Sequence, residues 1–283
     1  MHLHNLSIMN RSSFPFWRVR VFCTALLAWS AFAALAPSAS AQTADEILAK
    51  VLAARGGADK IKAIHAERVS GKISFGAEFE GPFSVEFVRP LKMHMEISIN
   101  GRNVVRVYDG KSSGWVINQF AENKDVQPMD AADLRNIADE SDFDGPLVDY
   151  QSKGNHLELQ GKDEVAGRQT YKLQLTNKNG DVRTYFFDAS TFLLIKWEGK
   201  VVVDDHDTPL ETFFSDYRDV HGVKFAFEVD SDTPGKPQQK KITIEKIEID
   251  PKIDEARFAK PAVPASAEPA AEAPPATSST PPQ

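Results

Sequence analysis

The sequence predicts an α+β protein, mainly antiparallel β, and three observations predict it. Apolar residues recur at every second position through most of the stretch from Val69 to Ile249, the period of a strand with two unlike faces. Helical periodicity is confined to the start of the body and to one interval between Phe120 and Tyr150. Turn residues fall between the alternating runs at spacings that suit hairpins rather than crossovers. Ten or eleven short strands, one leading helix and one enclosed helix make a sheet with helices on one side.

The leading helix is Thr43 to Ala54. Thr43 stands at the N-cap, acids follow in the first turn, Ile47, Val51 and Leu52 share a face, and Gly56-Gly57 stops it. Ala58 to Ile64 adds a further turn or two. The period then becomes two: Val69, Ile73 and Phe75 alternate with polar residues, and Phe83, Val85 and Phe87 do the same.

Arg89-Pro90 turns into the most regular strand, Leu91 to Ile99. There Leu91, Met93, Met95, Ile97 and Ile99 alternate with Lys92, His94, Glu96 and Ser98. Methionine adapts to irregular apolar surfaces better than branched residues do, so this strand lines either a core or an apolar cavity. Val104 to Tyr108 and Trp115 to Ile117 flank the Asp109-Gly110 hairpin signal. Ala131 to Ala138, capped by Asp130, reads as a short helix with Leu134 and Ile137 on one side, and Leu147 to Tyr150 as a further helical turn.

Strands resume at 157–160, 169–175, 182–187, 193–203, 212–217, 224–229 and 241–249. Asn179-Gly180 and the Thr233–Pro237 segment supply the turns. The aromatic and methionine supply (Phe83, Phe87, Met93, Met95, Trp197 and others) packs a second sheet in a sandwich. In a strongly curved single sheet it lines a cavity closed by a helix. Periodicity alone leaves both open.

Both ends of the chain differ from the body. Arg11, Arg18 and Arg20 precede the apolar run Val21 to Ala36, and Ala39-Ser40-Ala41 forms a small-residue cleavage site, so residues 1–41 read as a secretory signal peptide. The sole cysteine, Cys23, lies in that run, so the body from residue 42 uses neither disulfides nor thiol chemistry. Residues 262–283 are rich in Ala, Pro, Ser and Thr, with almost nothing to bury, and are expected to be a disordered tail. Residues 42–261 then form one domain.

Formal net charge is −7, and because the leader carries three arginines and no acids, the remainder stands at −10. This argues against nucleic-acid binding and against electrostatic adhesion to anionic membranes. No Gly-x-Ser-x-Gly, His-Glu-x-x-His or phosphate-cradling glycine loop is present. Glu140, Asp142, Asp144 and Gly145 fit the first half of a calcium loop, but its twelfth position would be Gln151, which lacks the required carboxylate. Asp204-Asp205-His206-Asp207 reads as a polar hairpin tip rather than a zinc site. His65, His94, His156 and His221 are scattered, with His94 on the polar side of its strand. The expectation is a protein that is not an enzyme and holds no metal or cofactor.

Phe87-Val88-Arg89-Pro90, then alternating apolar residues, then Tyr108-Asp109-Gly110-Lys111-x-x-x-Trp115, and finally Phe258-Ala259-Lys260-Pro261, occur in an order that resembles the LolA-like outer-membrane lipoprotein carriers. The resemblance covers about residues 44 to 261. It implies an open half-barrel whose concave face is covered by a helical lid. It implies a monomeric periplasmic carrier of lipoprotein acyl chains or free lipid, served by inner-membrane donor and outer-membrane acceptor proteins. Phe83, Phe87, Met93, Met95, Ile97 and Trp115 would line the ligand, Arg89 would latch the lid, and Leu134 and Ile137 would belong to it. A sensor or scaffold using the same half-barrel to regulate a partner is the alternative, with a small hydrolase or calcium-dependent binder behind it.

Overall fold

The computed structural model describes residues 42–261 except 77, 204, 205 and 235. The expected signal peptide, the C-terminal tail and Asp204-Asp205 lie outside the described residues. Helix α1 (Ala44–Arg55) opens on a capping box. The Thr43 hydroxyl accepts from the Glu46 amide while the Glu46 carboxylate accepts from the Thr43 amide, so two of the helix's orphan donors are satisfied. A short α2 (Ala58–Ala63) follows.

The rest is one sheet. Its strands are β1 (Ala66–Phe75), β2 (Phe79–Val88), β3 (Lys92–Ile99), β4 (Arg102–Tyr108), β5 (Gly114–Asn118) and β6 (Gln127–Pro128), then, after helix α3 (Ala131–Glu140), β7 (His156–Val165), β8 (Arg168–Thr176), β9 (Val182–Asp188), β10 (Leu194–Val203), β11 (His206–Val220), β12 (Val223–Thr233) and β13 (Lys236–Ile249). All 13 strands form a single antiparallel sheet in the order β6-β5-β4-β3-β2-β1-β13-β12-β11-β10-β9-β8-β7, which is not closed. The count exceeds the expected ten or eleven partly because two-residue β6 has no alternation to read. Leu147 to Tyr150 is a run of turns rather than helix.

The topology explains what the enclosed helix does. Strand β1 pairs with β13 in the middle of the sheet, so the chain runs outward to one edge at β6 and must re-enter at the opposite edge, β7. The connection between them, residues 129–155 with α3, therefore crosses a face of the sheet, and α3 touches both β4 and β10. Helix α1 packs on the β7–β9 side, where Ile47, Leu48 and Val51 are buried against Leu157, Leu173, Leu175 and Phe187. The strands coil tightly on the other side. A Cβ at Gly81 would sit 1.8 Å from the Ser98 carbonyl oxygen, so only glycine fits there. This single covered sheet resolves the choice left open by periodicity against a sandwich.

The outer face is less wet than the alternation implies. Glu86 and His94, at polar positions of the alternation, are 4% and 9% exposed because residues 250–261 run back over β1–β4. Glu86 pairs with Arg68 at 2.9 Å and with Arg257, and Arg257 reaches the His94 ring at 3.1 Å. Phe258 is buried beside them, under the Lys92 ammonium. Burial pushes the Glu86 carboxyl up, but Arg257 and Arg68 together hold it below its usual value.

Candidate functional site

Cross-strand register sorts the side chains of the β1–β5 half into rows. One row is Glu67, Phe87, Met93, Tyr108 and Gly114; the next is Val69, Val85, Met95, Arg106 and Val116; the next holds Gly71, Phe83, Ile97 and Val104. These rows face the crossing segment, so this is the covered, concave side. Met93 is 2% exposed and Ile137 fully buried, and they pack with Tyr108, Met129 and Leu134. Phe83 and Ile97 belong to an adjoining cluster with Val69, Ile73 and Ile99, which Phe87 and Met95 join to the first. Thus Phe83, Phe87, Met93, Met95, Ile97, Leu134 and Ile137 form one continuous apolar surface.

Trp115 is not part of it, which corrects the sequence reading. It lies in the row Arg68, Glu86, His94, Val107 and Trp115 on the opposite face. A shift of one residue moves a side chain across the sheet, and Tyr108 pairs with Gly114, not with Trp115. Gly114 is the residue the crossing segment needs. A Cβ there would fall 2.6 Å from Met129 Sδ and 3.0 Å from Leu134 Cδ2, so its bare backbone lets the start of the crossing and α3 settle directly onto β5.

Arg89 holds the far end of the crossing. Its Nη1 and Nη2 donate to the two oxygens of Asp144, each at 2.7 Å, a bidentate fork. Nε donates to the Ile64 carbonyl at 2.5 Å and Nη2 to Ile61 at 3.1 Å, so the same guanidinium satisfies carbonyls at the end of α2. The Phe143 ring lies 4.7 Å from the guanidinium carbon. The hydrogen-bonded Asp144 carboxylate raises the Arg89 pKa further.

Sequence reasoning missed the polar group beside this fork. Glu67 lies in the Phe87–Met93 row and is 5% exposed. Burial lifts its carboxyl to about 7, against the pull of Arg55 and with the push of Asp144. Arg55, the last residue of α1, donates to the Asp144 carbonyl at 3.4 Å, and burial lowers its pKa. The signal was available: Glu67 shares the parity of Val69 and Ile73, an acid on an apolar face.

The acidic interval does not converge on a point. Glu140 pairs with Arg106 at 2.7 Å, Asp142 with Lys153 at 2.6 Å, and Asp144 with Arg89, so each carboxylate has its own cation. Nor is it a plainly solvated loop, since Asp144 is buried. Among the described residues no group of three or more His, Cys, Asp or Glu side chains is arranged to hold a metal ion. A groove of about 530 Å³ between β9, β10 and β11 lies away from all of these residues and has a mixed lining that includes Asp181, Glu198, Lys200 and Glu211. No helix among the described residues is long and apolar enough to cross a membrane.

The geometry is that of an open, curved antiparallel sheet with an apolar concave face under a crossing helix. No family model matches the sequence, and no curated protein matches it. Among solved structures, the fold is shared with a DUF1329 family protein from Desulfovibrio piger, 13% identical, with a TM-score of 0.52 over 77% of this chain and 98% of that one. A putative outer membrane lipoprotein-sorting protein domain from Vibrio parahaemolyticus is 10% identical, with a TM-score of 0.49 over 76% of this chain and 95% of that one. A LolA superfamily protein from Nitrosomonas europaea is 14% identical, with a TM-score of 0.47 over 78% and 99%.

Proposed function

We propose that this protein is a periplasmic carrier, not an enzyme, that binds acyl chains of lipoproteins or other lipids on its concave face and passes them toward the outer membrane. The observation that carries this reading is the continuous surface of Phe83, Phe87, Met93, Met95 and Ile97, packed under Leu134 and Ile137, with the Arg89–Asp144 fork further along the same crossing segment. Ligand entry requires the crossing segment to lift from the sheet. Burying an acyl methylene is worth about 0.8 kcal/mol, so about three to five methylenes offset an opening cost of about 2–4 kcal/mol for one bidentate, partly buried ion pair. A full chain leaves a surplus that retains the ligand, and a cost of this size still permits release.

The test is transfer of a pyrene-labelled diacyl lipid from donor to acceptor vesicles. The reading predicts catalytic amounts of protein to speed transfer, and Met95→Asp with Ile97→Asp to abolish it, with circular dichroism as the control that the sheet remains folded. Unchanged transfer in that double variant would refute the concave face as the binding surface.

A further inference from the structure

The large apolar side chains exposed among the described residues are Phe75 at 38%, Phe79 at 47%, Phe120 at 43% and Val182 at 46%. They come from three separate turns, yet the register brings them to one end of the sheet. Phe75 and Phe79 face each other across the β1–β2 turn. Phe120 follows the end of β5, where Arg102, at the β3–β4 turn, stands 5.5 Å from its ring. Val182 begins β9 at the β8–β9 turn, which antiparallel pairing places at the same end. The opposite end, with Arg89-Pro90, Asp109 and Gly222, has no such residue among those described.

This end is also continuous with the concave face. Beyond the row of Phe83 and Ile97, Ile73 pairs with Gly81, which lies against the Ile99 backbone, and beyond that comes the Phe75–Phe79 pair. The cluster between α3 and this rim consists of strand residues alone, Val69, Ile73, Phe83, Ile97 and Ile99 with neighbours from β13. An apolar track thus runs from buried Met93 out to exposed phenylalanines.

We propose that this rim docks on a lipid bilayer, with Phe75, Phe79 and Phe120 entering the interface and the track behind them receiving the acyl chain. Separate aromatic tips on turns suit a fluid surface, which closes around each, better than a rigid protein patch that must match them all. Arg102 beside Phe120 is long enough to reach lipid phosphates while its stem stays in the interface. The net charge of −10 beyond the leader leaves the apolar contacts, not long-range attraction, to drive docking.

The inference rests on the carrier reading for its purpose, but its test reads docking separately. The full chain is floated with protein-free vesicles of phosphatidylcholine and phosphatidylethanolamine at low and high salt. In parallel, uptake of a monomeric fluorescent fatty acid is measured without vesicles. The wild type is expected to float with vesicles at both salt concentrations. Phe75→Ser with Phe79→Ser is expected to lower partitioning about tenfold or more while fatty-acid uptake persists. Val220→Ser, at the opposite end, should change neither. A wild type that ignores vesicles, or a double variant that floats as well as the wild type, overturns the proposal. Self-association through these phenylalanines in sedimentation velocity, without vesicle binding, overturns it in favour of a second copy. Phenylalanine-dependent flotation with no fatty-acid uptake in any variant leaves docking standing and overturns the carrier reading instead.

Discussion

Arg89→Leu removes one of the side chains that tie the crossing segment to the rest of the fold, and its cost follows from the contacts. The fork to Asp144 is two charge-assisted bonds of 2.7 Å, and the side chains are 28% and 9% exposed, so solvent screens the arginine partly and the carboxylate little. Breaking a fully buried pair costs about 3–5 kcal/mol. Allowing for the exposed fraction, about 2–4 kcal/mol is expected here. Much of it comes from leaving Asp144 buried without a cation, so Arg89→Leu with Asp144→Asn should recover about 1 kcal/mol or more. The Ile61 and Ile64 carbonyls lose donors in both variants.

The assay is amide hydrogen exchange, because the proposed latch would act on opening of one segment and not on the whole sheet. At about 1.4 kcal/mol per tenfold, α3 amides should exchange at least about thirtyfold faster in Arg89→Leu, and amides of the β1–β13 pair should be little changed. Unaltered α3 exchange would refute the latch. Equal acceleration in α3 and β1–β13 would show that Arg89 supports global stability instead.

Other consequences follow from the same geometry. Glu67, lifted to about 7 by burial, binds a proton more tightly folded than unfolded. Its stabilising effect is complete below about pH 4.5 and is lost as pH rises through 7, by no more than about 3–4 kcal/mol at about 1.4 per pH unit. Glu67→Gln should flatten denaturant stability between pH 5 and 8. Gly114→Val forces Met129 and Leu134 off β5, and overpacking of this kind costs about 1–3 kcal/mol, which should appear as faster exchange in α3. Met95→Ser should weaken lipid retention in a fluorescent displacement assay, whereas Trp115→Ser, on the outer face, should not.

How far the sequence led depends on what each residue's neighbours add. The strands were legible because alternation is local, and α1 and α3 because Thr43 and Asp130 cap them by contacts within three residues. Arg89 stood out through its place before Pro90, but its partner Asp144 lies 55 residues away in a loop that no period describes. Trp115 stands on the face opposite to the expected one because the parity of β5 is set by pairing after a five-residue turn. There Asp109 Oδ1 collects the amides of Lys111, Ser112 and Ser113. The burial of His94 and Glu86 is invisible in local alternation because the segment that covers them, 250–261, arrives from the far end of the sequence. The clustering of Phe75, Phe79, Phe120 and Val182 at one end emerges only from sheet order, which joins β1 to β13 across the length of the chain.

Native mass spectrometry of the protein purified from its host without detergent tests the carrier reading most directly. The account predicts species heavier than the bare chain by the mass of one or more lipids, and a bare chain when Met95→Asp and Ile97→Asp are introduced. A wild-type chain that remains bare after isolation and after incubation with excess lipid would contradict it.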